Sequence, residues 1–419
     1  MQKKPTINYG NFLLSLSDSV DLASPHIALH QQRTAYLSME MCKIANLSED
    51  LTNNIFIAAL FHDVGAITVE EKISLHAFET DNIDRHCLRG ELLLKRIPRF
   101  EIVAEFVKFH HTRWDEFDES IDSEFVTGAQ IIQLADYVER LIDRDNYILN
   151  QTENILDNIK KLSGNVIHPE IINHFLAISN REELWLDLIS SRLYSILFST
   201  GPLKSFEIEI SEIEIISKLF KDLIDYKSPF TATHTSGVSA SAKILSELFG
   251  LTESEIKHMG VAGNLHDLGK LIIPNSILDK PGGLTKPEFN IIKSHTYYSY
   301  QIISSIKGLE NIAEWAAYHH EKLNGSGYPF KCNSSQLTIG ARIMMVADIF
   351  TALSEDRPYR KGMEKNEIYK IFQDLVSTNT LDERIVNLLF DHYEKINSQV
   401  SQIQSAAKDF YQTRFSLLE

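Results

Sequence analysis

The sequence is poor in cysteine, and its apolar runs are short. Cys42, Cys87 and Cys332 are too few and too far apart for a disulfide framework or a CxxC metal motif, so we interpret them as reduced thiols. Apolar runs such as 55–61 fall far short of the roughly 20 residues that cross a bilayer, and the start of the chain carries no convincing signal peptide. We therefore expect a cytoplasmic protein without a membrane span.

Basic residues are scarce relative to acidic ones. The 41 Lys and Arg against 57 Asp and Glu give a formal net charge of -16. This balance argues against binding of long nucleic acid, because that binding depends on neutralising phosphates with basic side chains. A small phosphate ligand needs only a local basic pocket, so it remains compatible with the composition.

Glycine and proline are also infrequent, with 18 and 11 copies in 419 residues. Few segments alternate with the period of a strand. Most show apolar residues at three- and four-residue spacing, as in the segment 213–223, which is typical of helices. The sequence therefore predicts an all-α protein, and its length allows two or three domains.

An adjacent His266-Asp267 pair stands inside an apolar run, and further histidines and an aspartate follow it. Imidazole nitrogen and carboxylate oxygen suit first-row divalent metals. The candidate ligands are five histidines and two aspartates: His234, His266, Asp267, His295, His319, His320 and Asp348. They are too many for one tetrahedral zinc and about right for a two-metal hydrolytic centre.

This order of ligands resembles the HD-GYP family, because Gly327-Tyr328-Pro329 follows the double histidine. The family is a branch of the helical HD metal-dependent phosphohydrolases, and its known members cleave cyclic dinucleotides. The resemblance covers roughly 212–392 and includes the motifs Lys280-Pro281-Gly282 and Arg357-Pro358-Tyr359-Arg360. The family usually has Asp where this chain has Asn324.

The resemblance implies two divalent metal ions, iron or manganese, with Asp267 as a catalytic ligand shared by both. One ion would be completed by His234, His266 and Asp348, and the other by His295, His319 and His320. Asp225 is a further candidate that could reach the centre by another geometry.

The resemblance also implies the substrate contacts. Lys270 would reach the scissile phosphate as a positive charge or a proton donor, which makes it the second catalytic residue. Arg357 and Arg360 would contact phosphate and guanine, and Tyr328 would contact a base. We interpret Glu321 as a residue that orients a histidine.

The first half of the chain repeats the ligand pattern. It carries His30, His62, Asp63, His86, His110, His111 and Asp136. The first two histidines are 32 residues apart in both halves, and the interval from the third to the fourth is 24 residues in both. Such agreement predicts two tandem HD-type helical domains. The first copy has Ala66 in place of Lys270 and lacks the Gly-Tyr-Pro and Arg-Pro-Tyr-Arg motifs, so catalysis is assigned to the second.

The predicted domains are a degenerate HD domain at 1–150, a mostly helical linker region at 151–205, and a catalytic domain with a helical tail at 206–419. For the site of the first copy, three interpretations remain open: a relic without metal, metal binding without turnover, and independent hydrolysis.

The leading hypothesis is a phosphodiesterase that opens cyclic di-GMP to a linear dinucleotide, with further cleavage to GMP left open. The same-class alternative is cyclic GMP-AMP. The alternative of another class is a silent metal-binding receptor for a dinucleotide or oxygen. The partner is a small cyclic dinucleotide, and a homodimer is left open.

Overall fold

The described chain is helical almost throughout, which confirms the all-α prediction. The structure is a computed structural model, and it describes residues 6–21, 27–78, 83–117, 123–228, 233–356 and 361–415. Within these ranges the only strands are Thr6–Asn8 (β1) and Glu207–Glu209 (β2), which pair with each other. The predicted contacts Arg357 and Arg360 lie outside the described residues.

The first of two compact units contains the described residues from Asn8 to Glu207. Its helices are α1 (Tyr9–Asp21), α2 (His30–Ile44), α3 (Glu49–Phe61), α4 (Val69–His76), α5 (Asp84–Leu94), α6 (Glu101–Phe109), α7 (Ser123–Arg140), α8 (Thr152–Lys160), α9 (Pro169–Ser179), α10 (Glu182–Ile189) and α11 (Leu193–Thr200). Helices α8–α11, in the predicted linker region, belong to this unit, and α9 packs on α2 and α7.

The second unit contains the described residues from Ile208 onward, together with Thr6 and Ile7. Its helices are α12 (Ile210–Lys227), α13 (His234–Phe249), α14 (Glu253–Leu265), α15 (Asn275–Leu278), α16 (Lys286–Ser304), α17 (Glu310–Ala317), α18 (Ile339–Ser354), α19 (Lys365–Ser377), α20 (Glu383–Asp391) and α21 (Tyr393–Phe410).

The two units share a core arrangement. In the first, α2 packs against α3 and α7; in the second, α13 packs against α14 and α18. In both, the first helix of this trio begins at the first histidine of the ligand pattern, and the second ends just before the His-Asp pair. The repeat seen in the sequence is therefore also a repeat of packing.

Short polar signals begin several of these helices. The side chains of Thr68, Thr252 and Thr285 each accept a hydrogen bond from the amide of the glutamate three residues later, and the carboxylate of that glutamate accepts one from the threonine amide. Such capping boxes satisfy amide groups that a helix leaves free at its start. No helix in the described ranges combines the length and the apolar character that a membrane span requires.

Candidate metal centre

The seven predicted ligands of the second unit project from five segments towards one place, and six of them are buried. They are supplied by α13 (His234), the end of α14 (His266 and Asp267), α16 (His295), the 3-10 turn Tyr318–His320 (His319 and His320) and α18 (Asp348). The centre is thus built from side chains that are distant in sequence.

Six of these side chains form two groups of three, and in each group the candidate ligand atoms lie within 4.8 Å of one another. One group is His234, His266 and Asp348, and the other is His295, His319 and His320. The grouping matches the division that the family resemblance implied. That each group binds an ion, and which ion it binds, stays a prediction.

Asp267 lies between the two groups. Its Oδ2 is 3.1 Å from Nε2 of His266, and its Oδ1 is 3.2 Å from Nε2 of His295. A carboxylate placed in this way can offer one oxygen to each of two ions, as two-metal hydrolytic centres require.

Backbone carbonyls orient three of the imidazoles. Nδ1 of His266, His295 and His319 lies 2.9, 2.6 and 2.6 Å, respectively, from the carbonyl oxygen three residues earlier. When Nδ1 donates to a carbonyl, Nε2 keeps its lone pair and is left to bind a metal.

Two buried atoms at the centre indicate that a metal fits. Nε2 of His266 and Oδ1 of Asp267 have no hydrogen-bond partner among the described residues. Nε2 of His295 lies 3.2 Å from that oxygen. Buried polar atoms are rarely left unsatisfied, so nitrogen and oxygen atoms converging here form a donor set suited to divalent metal.

The electrostatics favour the ligand forms of these groups. Burial would raise the pKa of Asp267, but the charges of His266 and Lys270 hold that pKa well below its usual range. The carboxylate is therefore ionised. Burial lowers the pKa of His320 to about 4, so its imidazole is neutral at neutral pH, as a ligand must be.

The pKa of His234 is raised, whereas burial lowers those of His319 and His320. Burial would lower its pKa, but the negative charge of Glu355 and the hydrogen bonds with Asp348 and Glu355 outweigh burial and raise it to about 10. Nδ1 of His234 is 3.1 Å from Oε1 of Glu355, and Nε2 is 3.1 Å from Oδ1 of Asp348. In the absence of metal, His234 carries a proton that a metal would have to displace.

A glycine lets the His-Asp segment approach the next ligand helix. A Cβ on Gly269 would lie 2.0 Å from the carbonyl oxygen of His295, and one on Gly65 would lie 2.0 Å from that of His86. Only glycine permits so close an approach. The glycine that follows the His-Asp pair in both copies is therefore a packing requirement.

Lys270 lies at the edge of the ligand cluster. It belongs to the 3-10 segment Leu268–Ile272, and its Nζ is 2.6 Å from Oδ2 of Asp267. Its side chain is 19% exposed, so the ammonium group can meet a ligand from solvent. A contact with the scissile phosphate stays a prediction.

Tyr328 flanks the centre on the loop after the double histidine. Its ring centroid is 4.9 Å from that of His320, and its amide nitrogen donates to the His320 carbonyl oxygen at 3.2 Å. Asn324 shapes the start of this loop, since its Oδ1 accepts from the amide and hydroxyl of Ser326. Asn324 thus serves a turn without supplying a carboxylate.

Glu321 has a different role from the one we expected. Its Oε1 accepts from the amides of Phe330 and Lys331 at 2.7 and 3.2 Å, and its Oε2 accepts from the amide of Cys332 at 3.0 Å. The buried carboxylate therefore holds the far end of the loop that carries Tyr328, and the expectation that it orients a histidine is wrong.

Asp225 also has a structural role. Its Oδ1 accepts from the amide of Thr235 at 2.8 Å, and its Oδ2 accepts from the amide and the hydroxyl of Ser236. These bonds satisfy free amides at the start of α13. Since both carboxylate oxygens are engaged, Asp225 is not available as an additional metal ligand in this arrangement.

The sequence did not reveal two glutamates that orient the first histidine of each unit. Oε2 of Glu139 is 2.5 Å from Nδ1 of His30, in the same relation as Glu355 to His234. Glu139 follows the last aspartate ligand of its unit by three residues and Glu355 by seven, which is one and two helical turns. That spacing is the signal that could have identified them.

The first unit also gathers its seven predicted ligands. Its first group includes His30, His62 and Asp63, and Oδ1 of Asp136 is 3.3 Å from Nε2 of His30. Its second group is His86, His110 and His111, with Cys87 beside them. Oδ1 of Asp63 is 3.3 Å from Nε2 of His86, so Asp63 lies between the groups as Asp267 does.

Comparison with known proteins matches both units. Two HD-domain family models match residues 27–141 and 218–385. The 3′3′-cGAMP-specific phosphodiesterase 1 of Vibrio cholerae is 30% identical over 370 residues, which cover 86% of each chain. The 3′3′-cGAMP-specific phosphodiesterase 3 of the same organism is 27% identical and covers 75% of this chain and 69% of its own.

Other relatives match less of the chain. A cyclic di-GMP phosphodiesterase response regulator of Xanthomonas campestris is 38% identical over 158 residues, or 37% of this chain and 42% of its own. Among solved structures, a cyclic GMP-AMP specific phosphodiesterase of V. cholerae has a TM-score of 0.64 at 22% identity. It covers 92% of this chain and 97% of its own, and it shares the fold.

Proposed function

The chain belongs to the HD-GYP family, and from that premise we propose that it is a phosphodiesterase of cyclic dinucleotides whose preferred substrate is 3′3′-cyclic GMP-AMP. The product would be a linear dinucleotide, with further cleavage to mononucleotides left to experiment. The catalytic centre is assigned to the second unit, because only that copy carries Lys270 and Tyr328.

The ranking of substrates rests on one observation. The two relatives that match most of the chain, both units included, are named for cyclic GMP-AMP. The cyclic di-GMP enzyme from X. campestris matches 37% of the chain. We therefore place cyclic GMP-AMP ahead of cyclic di-GMP, which the motifs alone had favoured.

The ligand groups would hold two divalent ions, iron or manganese, with Asp267 shared between them. Ions bound there would supply an activated water and stabilise negative charge on the phosphoryl oxygens. Carbonyl-bonded Nδ1 atoms keep the imidazoles of His266, His295 and His319 in position for this task.

Lys270 would act on the phosphate itself. Its ammonium group is paired with Oδ2 of Asp267 and is partly exposed, so an incoming phosphodiester would meet a positive charge beside the reaction centre. In that position Lys270 would neutralise the phosphate or protonate the leaving oxygen.

The substrate bases would be held by residues around the Gly-Tyr-Pro loop. Tyr328 presents a ring close to His320, which suits stacking or hydrogen bonding with a purine. Arg357 and Arg360 are proposed to contact phosphate and guanine, because guanidinium can bind both in a bidentate manner.

A parallel assay tests the substrate ranking. The full chain, loaded with Mn²⁺ or Fe²⁺, would be given cyclic GMP-AMP and cyclic di-GMP under identical conditions. We expect the larger kcat/KM for cyclic GMP-AMP. A larger value for cyclic di-GMP would reverse the ranking, and no turnover of either would favour the alternative of a silent metal-binding receptor.

A pair of variants tests the division between the units. Asp267→Ala removes the shared ligand of the second unit, and Asp63→Ala removes its counterpart in the first. We expect Asp267→Ala to lose metal and all measurable turnover, and Asp63→Ala to keep turnover while its metal content changes. If Asp63→Ala abolished hydrolysis in a folded chain, catalysis would not belong to the second unit alone.

A further inference from the structure

A buried arginine distinguishes the metal site of the first unit from that of the second. Nη1 of Arg140 is 3.0 Å from Oδ2 of Asp136, and the two side chains are 8% and 4% exposed. Exposed pairs of this kind, four residues apart on a helix, are weak and screened by water. Here burial removes that screening, so the guanidinium acts on the site as a fixed positive charge.

The sequence of the second unit has no charged residue at the position equivalent to Arg140. Asp348 corresponds to Asp136, and Ala352 stands four residues later, where the first unit has Arg140. Asp348 turns its Oδ1 to His234 at 3.1 Å and its Oδ2 to His320 at 3.9 Å, so it faces both ligand groups.

The two carboxylate oxygens of Asp136 have different partners from those of Asp348. Its Oδ1 is 3.3 Å from Nε2 of His30 and 3.7 Å from Nε2 of His62, both in the first ligand group. Its Oδ2 is taken by Arg140. One of its two oxygens is therefore paired with a cation that the protein itself supplies.

The guanidinium is held in place from its other side. Cζ of Arg140 lies 3.7 Å from the ring centroid of Phe78, and that ring packs edge-on against Tyr137. Phe78 has a φ of 58°, which a non-glycine residue adopts only at a cost. A cation between a carboxylate and an aromatic face has little freedom to move away.

We propose that the first unit is a single-ion metal site, in which Arg140 takes the place of a second ion. The ion would lie with His30, His62, Asp63 and Asp136, which bring α2, α7 and the end of α3 together. The second group, His86, His110 and His111, would stay without an ion. A divalent cation there would face the buried guanidinium, and among the described residues Asp63 is the carboxylate that contacts these histidines.

Cys87 does not overturn this assignment. Its sulfur is 3.6 Å from Nδ1 of His110, the nitrogen that is bonded to the Val107 carbonyl at 2.6 Å, and 3.6 Å from the Ile83 carbonyl oxygen. The sulfur is also 3.6 Å from Nε2 of His86, so it lies beside this group, and it donates to the Ile83 carbonyl oxygen as a thiol.

Metal content measured on the full chain tests the proposal without reference to turnover. We expect about three ions per chain in the wild type: two in the second unit and one in the first. Arg140→Met keeps the volume and removes the charge, and should gain about one ion. The reciprocal change Ala352→Arg should lose about one, whereas Ala352→Met should not.

Two further variants guard against loss of folding and non-specific charge effects. Arg140→Lys keeps the positive charge and should match the wild type. Arg192→Met removes an exposed charge elsewhere in the same unit, and it should also leave the metal content unchanged. Circular dichroism would show that each variant is folded.

The proposal fails if a folded Arg140→Met chain holds as many ions as the wild type. It fails equally if Asp63→Ala leaves the metal content unchanged, because the first unit would then hold no ion. Neither result would affect the assignment of turnover to the second unit, which is tested by hydrolysis.

Discussion

Among single residues, Lys270 is the sharpest difference between the two sites. Both units keep their metal ligands, but the first has Ala66 at the equivalent position. Nζ of Lys270 is 2.6 Å from the shared carboxylate of Asp267. Its position beside Asp267, in the copy that also carries the Gly-Tyr-Pro motif, supports our proposal that Lys270 contacts the substrate.

Substitution Lys270→Met tests this role. We expect kcat to fall by about 100- to 1,000-fold, because a positive charge that stabilises the phosphoryl group is lost. Metal content should stay that of the wild type, since Lys270 carries no ligand atom. Lys307→Met, at an exposed position, should change neither quantity. Loss of metal in Lys270→Met would make the lysine a positioning group for Asp267.

The raised pKa of His234 predicts a pH-dependent metal affinity. Its pKa is about 10 in the metal-free chain, against about 6.5 when unfolded. Below pH 10 an ion must displace this proton, so affinity at this group should rise about tenfold per pH unit between pH 7 and 9. His320, with a pKa of about 4, adds no such dependence in that range.

Calorimetry in two buffers with different ionisation heats would measure this release. At pH 7.5 we expect about one proton released as the ion binds the His234 group. Glu355→Gln removes the nearest negative charge, so it should lower the pKa of His234 and reduce the release. Identical apparent heats in both buffers would contradict the protonated state of His234.

At the scale of elements, an aspartate fixes the start of the helix that carries the first histidine in each unit. Asp225 accepts from the amide of Thr235, and Asp21 accepts from the amide of Gln31, each at 2.8 Å. Both aspartates precede the first histidine of their unit by nine residues. The repeat therefore extends to the support of the ligand helix.

Loss of this support should destabilise the second unit. Asp225→Ala leaves two amides and the hydroxyl of Ser236 without their acceptor, so we expect a cost of about 2 kcal/mol. Urea unfolding of the metal-free chain at pH 8 would measure it. Glu247→Ala, exposed on the same helix, should change stability by less than about 0.5 kcal/mol. Equal effects of the two substitutions would contradict the capping role.

The sequence predicted the helical class and the residues that converge on each centre, because ligand spacing survives duplication and helices carry a clear apolar period. It did not predict contacts whose partners are far apart or lack a repeated motif. Glu321 accepts hydrogen bonds from the amides of the loop at 330–332, and Arg140 pairs with Asp136 in the first site. Both depend on where a side chain points after packing, which composition and spacing do not specify.

At the scale of the whole molecule, the structure contains two packed units, each with its own ligand cluster. The V. cholerae relative that is 30% identical matches 86% of the chain, so the similarity extends over both units. The first unit keeps its candidate ligands, but Arg140 pairs with one of them and Ala66 replaces Lys270. This arrangement suits a structural metal better than a catalytic one.

Removal of metal should therefore destabilise both units separately. An ion whose free concentration is 100 to 1,000 times its Kd raises the free energy of unfolding by about 3–4 kcal/mol. We expect a chelator to lower the thermal transition of the wild type, and Asp63→Ala and Asp267→Ala each to abolish part of that shift. The double variant should show no shift, with the two partial losses nearly additive because the ligand sets share no residue. If Asp63→Ala kept the full shift, the first site would contribute nothing to stability, and its ligands would be a relic without metal.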